Sequence, residues 1–169
     1  MKIHRVNEVP AADKHRLFGW GEDIFQDAQF GLQWRRKDVH VLVEENGQVV
    51  GHVGILARQP VEMGGEKFFV GGIGGVVTVP DARGKGFARE GLRAAEEILL
   101  AEPDVDFAML FCREPLIGFY QKWGWQRVMS SVSAKNSSGK CIVNSSSKCA
   151  ANFFLPPIIS IISDGACGT

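Results

Sequence analysis

The spacing of apolar residues changes several times along this 169-residue chain, and each change marks the edge of an element. Val39-His40-Val41-Leu42-Val43-Glu44 is apolar and β-branched, Glu45-Asn46-Gly47-Gln48 brings turn chemistry, and residues 49–57 resume the apolar run, which predicts a hairpin. A polar break at residues 62–67, with Gly64-Gly65 as a second turn, leads into a long strand over residues 68–79, so that three antiparallel strands follow one another. Ahead of them, residues 2–6 read as a short strand and residues 9–18 as a helix, with a second helical piece over residues 22–33.

Further on, Ala88, Leu92, Ala95 and Leu99 recur at i, i+4, i+7 and i+11, which is one face of a helix. Arg89, Glu90, Arg93, Glu96 and Glu97 make its wet side, with Arg93 and Glu97 spaced as an exposed ion pair. Pro103 closes that helix. Residues 105–112 are almost wholly apolar, as in a strand covered on both faces, so strand, helix and strand form one parallel βαβ unit. Pro115 suits the first turn of another short helix through Ile117, Phe119, Tyr120 and Trp123, which stops at Gly124.

The link from the long strand into the patterned helix is Val77-Thr78-Val79-Pro80-Asp81-Ala82-Arg83-Gly84-Lys85-Gly86-Phe87-Ala88, and it reads as a phosphate cradle. A helix start leaves backbone N–H groups without partners and carries the positive end of the helix dipole, so an anion there is favoured by geometry and field together. Gly84 and Gly86 admit a ligand close to the backbone, and Arg83 and Lys85 add positive charge. A plainer reading makes the two glycines only the shapers of a tight turn. The run is not a dinucleotide fingerprint, whose third glycine would fall where Arg89 stands. Nor is it a nucleotide P-loop, which needs Ser or Thr where Gly86 stands and glycine where Val79 stands.

Composition narrows the partners. Lys and Arg number 19 and so do Asp and Glu, giving a formal net charge of +0, so the long-range pull toward nucleic acid or an anionic membrane is missing and any anion site is local. A chain with 45% hydrophobic residues can bury the core of one domain, taken here as residues 1–169. Met1-Lys2-Ile3-His4-Arg5 lacks the apolar run of a signal peptide, and the late apolar stretch over residues 153–162 holds two prolines and is too short to span a bilayer, which makes a cytoplasmic protein the expectation. Four cysteines without a C-x-x-C pair and four histidines without zinc spacing indicate neither a metal site nor a disulfide framework.

The order of elements resembles the GNAT family of acyl-CoA-dependent N-acetyltransferases, and the likeness rests on particular residues. Arg83-Gly84-Lys85-Gly86-Phe87-Ala88 fits the family's R/Q-x-x-G-x-G/A pattern, and Gly118-Phe119-Tyr120-Gln121-Lys122-Trp123-Gly124-Trp125 is similar to its later motif, an aromatic helix that carries a tyrosine and ends at glycine. The resemblance covers roughly residues 2–130. It implies an α+β fold, with a central mixed, mostly antiparallel sheet of six to seven strands flanked by helices and one parallel βαβ unit that binds acyl-CoA. It further implies acetyl-CoA as cosubstrate, without a metal, and a small-molecule amine as acceptor. Residues Arg83, Gly84, Lys85, Gly86, Phe87 and Ala88 would surround the pyrophosphate. Val77, Thr78 and Val79 would line the pantetheine arm, which lies where the fourth strand splays from the fifth and bonds to main-chain groups near Val77 and Val79. A main-chain N–H near Val77 would serve the oxyanion. Oligomeric state stays open, although relatives often form homodimers.

By the same resemblance Tyr120, the single tyrosine, would protonate the departing thiolate; its plain alternative is a core aromatic beside Phe119 and Trp123. No general base is assigned, because residues 68–79 contain no acid. Glu22, Asp23 and Asp27 fall in the helical region that helps to form the family's acceptor site, His52 reads as an ordinary strand residue, and Cys112 as a small buried hydrophobe. Gly71, Gly72, Gly74 and Gly75 either leave room for the acceptor amine or let a twisted strand pack against a helix. The segment from His40 to the Val-Thr-Val-Pro turn resembles aminoglycoside 2'-N-acetyltransferases, so an aminoglycoside is one acceptor to consider and a protein amine another. A module that holds acyl-CoA without turnover is the non-enzymatic alternative. Residues 131–169 form a divergent segment; residues 128–135 and 140–143 suit a hairpin that would complete the sheet, and nothing is assigned beyond Asn144.

Overall fold

The computed structural model describes residues 1–20, 24–25, 35–63, 65–127, 133–135, 141–144 and 149–154. The front of the chain supplies β1 (Lys2–Val6), α1 (Ala11–Phe18), β2 (Val39–Glu45), β3 (Gln48–Met63) and β4 (Glu66–Thr78). After them come α2 (Phe87–Leu100), β5 (Phe107–Arg113), α3 (Ile117–Gln121), β6 (Gln126–Arg127), β7 (Ser133–Lys135), β8 (Cys141–Asn144) and β9 (Cys149–Phe154). The helical piece expected over residues 22–33 lies outside the described residues, except for Ile24 and Phe25 in a turn.

One mixed sheet of seven strands runs in the order β1-β2-β3-β4-β5-β9-β6, and only β4 and β5 pair in parallel. The β2–β3 hairpin closes on Asn46 and Gly47, both with positive φ (50° and 78°), the type I′ geometry whose twist suits flanking strands. β3 runs past the expected end at residue 57. Beyond Ile55 it has lost its β2 partner and become an edge, and there Pro60, which has no N–H for a ladder, can sit opposite Phe69.

α2 covers one face of the sheet. Leu92, Ala95 and Leu99 are buried as their spacing predicts, packed in a cluster with Val41, Val53, Ile55, Ile73 and Leu110. Two details differ from the sequence pattern: Ala88 is only half-buried, and Gly91 is buried against Val43 and Val53, where an added Cβ would lie 3.0 Å from a Val53 methyl and 3.2 Å from a Val43 methyl. Glu96 also leaves the wet side, since Trp125 donates its indole N–H to the carboxylate at 2.8 Å, and burial pushes the Glu96 pKa up. Arg93 and Glu97 pair at 3.0 Å as expected. A second cluster ties Leu17 of α1 to Leu42, Val50, Val77, Val79, Ala82 and Phe87, so the turn before α2 is anchored from below.

The late hairpin exists but does not complete the sheet. β7 and β8 pair with each other as a separate two-stranded unit, and the strand that fills the place beside β5 is β9, paired antiparallel over Ala108–Arg113 with β6 on its far side. Nothing in Cys149-Ala150-Ala151-Asn152 alternates or favours a strand, so its conformation comes from the open edges it joins.

Gly71 shows how tightly α2 meets the sheet, because a Cβ added there runs into Leu99, whose side chain is 1% exposed. Gly71→Ala is expected to destabilise the fold by about 1–3 kcal/mol, read from urea unfolding, with little change in far-ultraviolet circular dichroism.

Candidate active site

The turn between β4 and α2 is built with its buried side chains below and its glycines above. Val79, Ala82 and Phe87 are buried, whereas Arg83, Gly84, Lys85 and Gly86 are exposed. Gly84 and Gly86 have φ of 78° and 87°, and a Cβ built on either meets no atom within 4 Å, so the space over both is open and only the dihedral demands glycine. Gly86 caps α2; its carbonyl takes the amides of Arg89 and Glu90 at 3.0 and 3.2 Å. Among the described residues the amides of Gly84, Lys85, Gly86, Phe87 and Ala88 make no such bond in the turn or cap. Free amides in sequence at a helix start suit a phosphate.

Arg83 and Lys85 hold to the loop itself. Arg83 donates from Nε to the Thr78 carbonyl at 3.3 Å, with its guanidinium 4.8 Å from the Trp20 ring centre, and Lys85 donates from Nζ to the Asp81 carbonyl at 3.2 Å. On the other side of α2's first turn, Arg89 stacks 3.7 Å over Trp123, which is 36% exposed.

β4 and β5 pair only from Val70–Phe107 to Ile73–Leu110, while β4 continues with β3 as far as Thr78. Past Ile73 the β5-facing edge of β4 is therefore open. The amide of Val79 bonds the Val50 carbonyl at 3.0 Å, so by strand alternation Val77 and Val79 turn their N–H groups toward β3 and Thr78 turns toward the open edge. Of the main-chain groups near Val77 and Val79, those of Thr78 are the ones that face this edge. The Thr78 hydroxyl is buried and has no hydrogen-bond partner among the described residues, an orphan that a ligand's amide would satisfy.

Tyr120 is buried in the cluster that contains Ile73, Leu110 and Cys112, where the two parallel strands part. Its ring meets Phe119 and Trp125 edge to face, at 5.1 and 6.2 Å between centres. Burial first, and Cys112 second, push the phenol pKa well above its ordinary value, which keeps it protonated at neutral pH.

A pair that sequence reading passed over crosses β2, β3 and β4 on the face toward α1. His40 Nδ1 and His52 Nε2 lie 2.8 Å apart, and His52 Nδ1 lies 2.6 Å from the Gly75 carbonyl, with Phe18 packed edge-on against the His52 ring. His52 is 4% exposed, and burial above all lowers its pKa to about 4. The turn alone could not reveal it: counting from Asn46-Gly47 sets Val41 opposite His52, and only the bulge between Val43 and Glu44 shifts the register so that Leu42 faces His52 and His40 stands two residues along on the same face. Nearby glycines have packing roles. Gly71 meets Leu99, Gly72 meets Leu56, and Gly54 and Gly74 give passage to the Lys37 side chain, so among the described residues these sites are filled from within. Glu22, Asp23 and Asp27 lie outside the described residues.

The profile of the Acetyltransferase (GNAT) family matches residues 7–125, a span that holds the glycine turn, the open edge and Tyr120, and the chain belongs to that family. Membership implies acetyl transfer from acetyl-CoA. Among solved structures the chain is similar to Escherichia coli ElaA, at 16% identity and a TM-score of 0.57 over 90% of this chain and 98% of that one. It is similar as well to an IAA acetyltransferase from Bacillus cereus, at 14% identity and 0.57 over 92% and 99%. An acyl-CoA N-acyltransferase from Pseudomonas aeruginosa shares 18% identity at 0.52, over 90% and 98%. These likenesses establish the fold. No curated protein matches the chain. Among the described residues no helix is long and apolar enough to cross a membrane.

His52 gives the site a measurable pH signature. Its pKa of about 4 in the fold lies below the ordinary 6.5, so on acidification the unfolded chain binds the proton first. Its contribution is level above about pH 6.5 and is lost progressively down to about pH 4, by up to about 3 kcal/mol. Urea denaturation across that window should show a shallower loss for His52→Asn than for the parent.

Proposed function

We propose that the protein is an N-acetyltransferase that moves the acetyl group of acetyl-CoA to a primary amine of a small molecule. The observation that carries this reading is the conjunction of an open β4 edge with a glycine turn whose exposed amides begin a helix. Acetyl-CoA, when bound, supplies the acetyl group as an activated thioester.

The chain's own groups divide the remaining work. Gly84, Lys85, Gly86, Phe87 and Ala88 offer backbone N–H groups to the pyrophosphate, and Arg83 and Lys85 can leave their loop carbonyls to add charge. Thr78 offers its hydroxyl and an edge-facing amide to the pantetheine arm, while Val77 and Val79 provide apolar wall. Tyr120 holds its proton at neutral pH and gives it up as negative charge builds on the departing sulfur.

The acceptor is proposed at the level of a small amine. Aminoglycosides belong in the first screen because of the sequence likeness over the β2–β3 hairpin and the turn, alongside amino acids, polyamines and peptides. Thiol release on mixing acetyl-CoA with these amines identifies the acceptor. Binding of coenzyme A without thiol release on any amine would replace the enzyme with an acyl-CoA sensor.

Tyr120→Phe is expected to lower kcat by about 100-fold or more and to leave the Kd for coenzyme A nearly unchanged, as measured by steady-state kinetics and calorimetry. An unchanged kcat would remove Tyr120 from the chemistry.

A further inference from the structure

We infer that His40 and His52 form a strut that fixes where β4 leaves β5, and so act as positioning residues for the acyl donor; this rests on the proposed function. The direction of the bonds follows from chemistry alone. A carbonyl only accepts, so His52 donates from Nδ1 to Gly75, and a neutral His52 then offers Nε2 as an acceptor, to which His40 donates from Nδ1. The chain of bonds runs one way, from β2 through β3 into β4.

Its end point is the distortion that opens the edge. Pairing of His52 with Val77 and of Gly54 with Gly74 leaves one extra residue on β4, a bulge at residues 75–76, and Gly75 adopts φ 61°. The Gly75 carbonyl, on this bulge, is taken by an imidazole ring. Parallel pairing with β5 stops two residues earlier, at Ile73. His52 is closed over by Phe18, which argues against its meeting an acceptor amine, and both its ring nitrogens are already engaged. His40 is half-buried and feels the charges of Arg36, Lys14, Lys37 and Glu8. Burying a polar ring is costly unless it is bonded, and an apolar side chain would fill the same volume; the ring's contribution is the bond to Gly75.

Replacing His52 by Leu leaves that carbonyl unpaired and lets the bulge relax toward regular pairing, so the Kd for coenzyme A should rise about ten-fold or more. His52→Asn places an amide donor near the position of Nδ1 and should restore binding to nearly the parental value, whereas His52→Gln, which reaches toward Nε2, should not. Nitrogen NMR of the parent at neutral pH should show both rings as the Nδ1–H tautomer. An Nε2–H tautomer for His52 overturns the strut. So does equal affinity of the parent and His52→Leu; if that variant does not fold, equal affinities of the Asn and Gln variants overturn it instead. A parent that binds no coenzyme A overturns the proposed function and the strut with it, whereas a binding parent with an indifferent His52 overturns the strut alone.

Discussion

A strand inside a sheet ordinarily has hydrogen-bond partners along both edges, and β4 keeps both only as far as Ile73. From there it follows β3 to Thr78 with its other edge open, at a place where the core around Tyr120, Leu110 and Cys112 is close by. Unpaired backbone is expensive to bury, so an open edge of this kind persists where its groups are met by a ligand or by solvent. The bulge at Gly75 makes the departure sterically allowed, and the His52 ring takes the Gly75 carbonyl. The glycine turn, the buried Thr78 hydroxyl and the buried phenol are all arranged around that parting of two parallel strands.

Electrostatics act on a shorter scale. The chain as a whole carries no net charge, and groups that favour an anion are concentrated in one turn, where exposed amides, a helix start and two basic side chains coincide. Rigidity comes from beneath: Val79, Ala82 and Phe87 sit in the cluster around Leu17 of α1, so the glycine amides are presented by a loop whose apolar residues cannot shift without opening the core. Arg83 and Lys85 stay close to the loop on its own carbonyls, near the position an anion would take.

Much of this was legible in the sequence where local rules suffice. Asn46-Gly47 announced its hairpin, and Gly84 and Gly86 announced a turn that needs positive φ. Leu92, Ala95 and Leu99 announced a buried helical stripe. The places where reading failed share a cause. Glu96 looked like surface charge until Trp125, from the far side of α3, reached it. His52 looked like filler until the bulged hairpin register set His40 beside it; the sequence left two roles open for the glycines of β4, and Gly71 against Leu99 of α2 fits the helix-packing one. β9 begins with four residues, Cys149 to Asn152, that carry no strand signal and are in a strand because two edges were waiting for them.

By itself, then, the sequence determined the local geometry: period fixes which face of an element is apolar, and glycine and proline fix where the chain turns, since both act within a few residues. Tertiary structure alone decided which edge stays open, which amide of β4 faces it, and which polar side chains meet. Those outcomes depend on register and on contacts between residues far apart in the chain, and a backbone group's direction is set by the partner strand it finds.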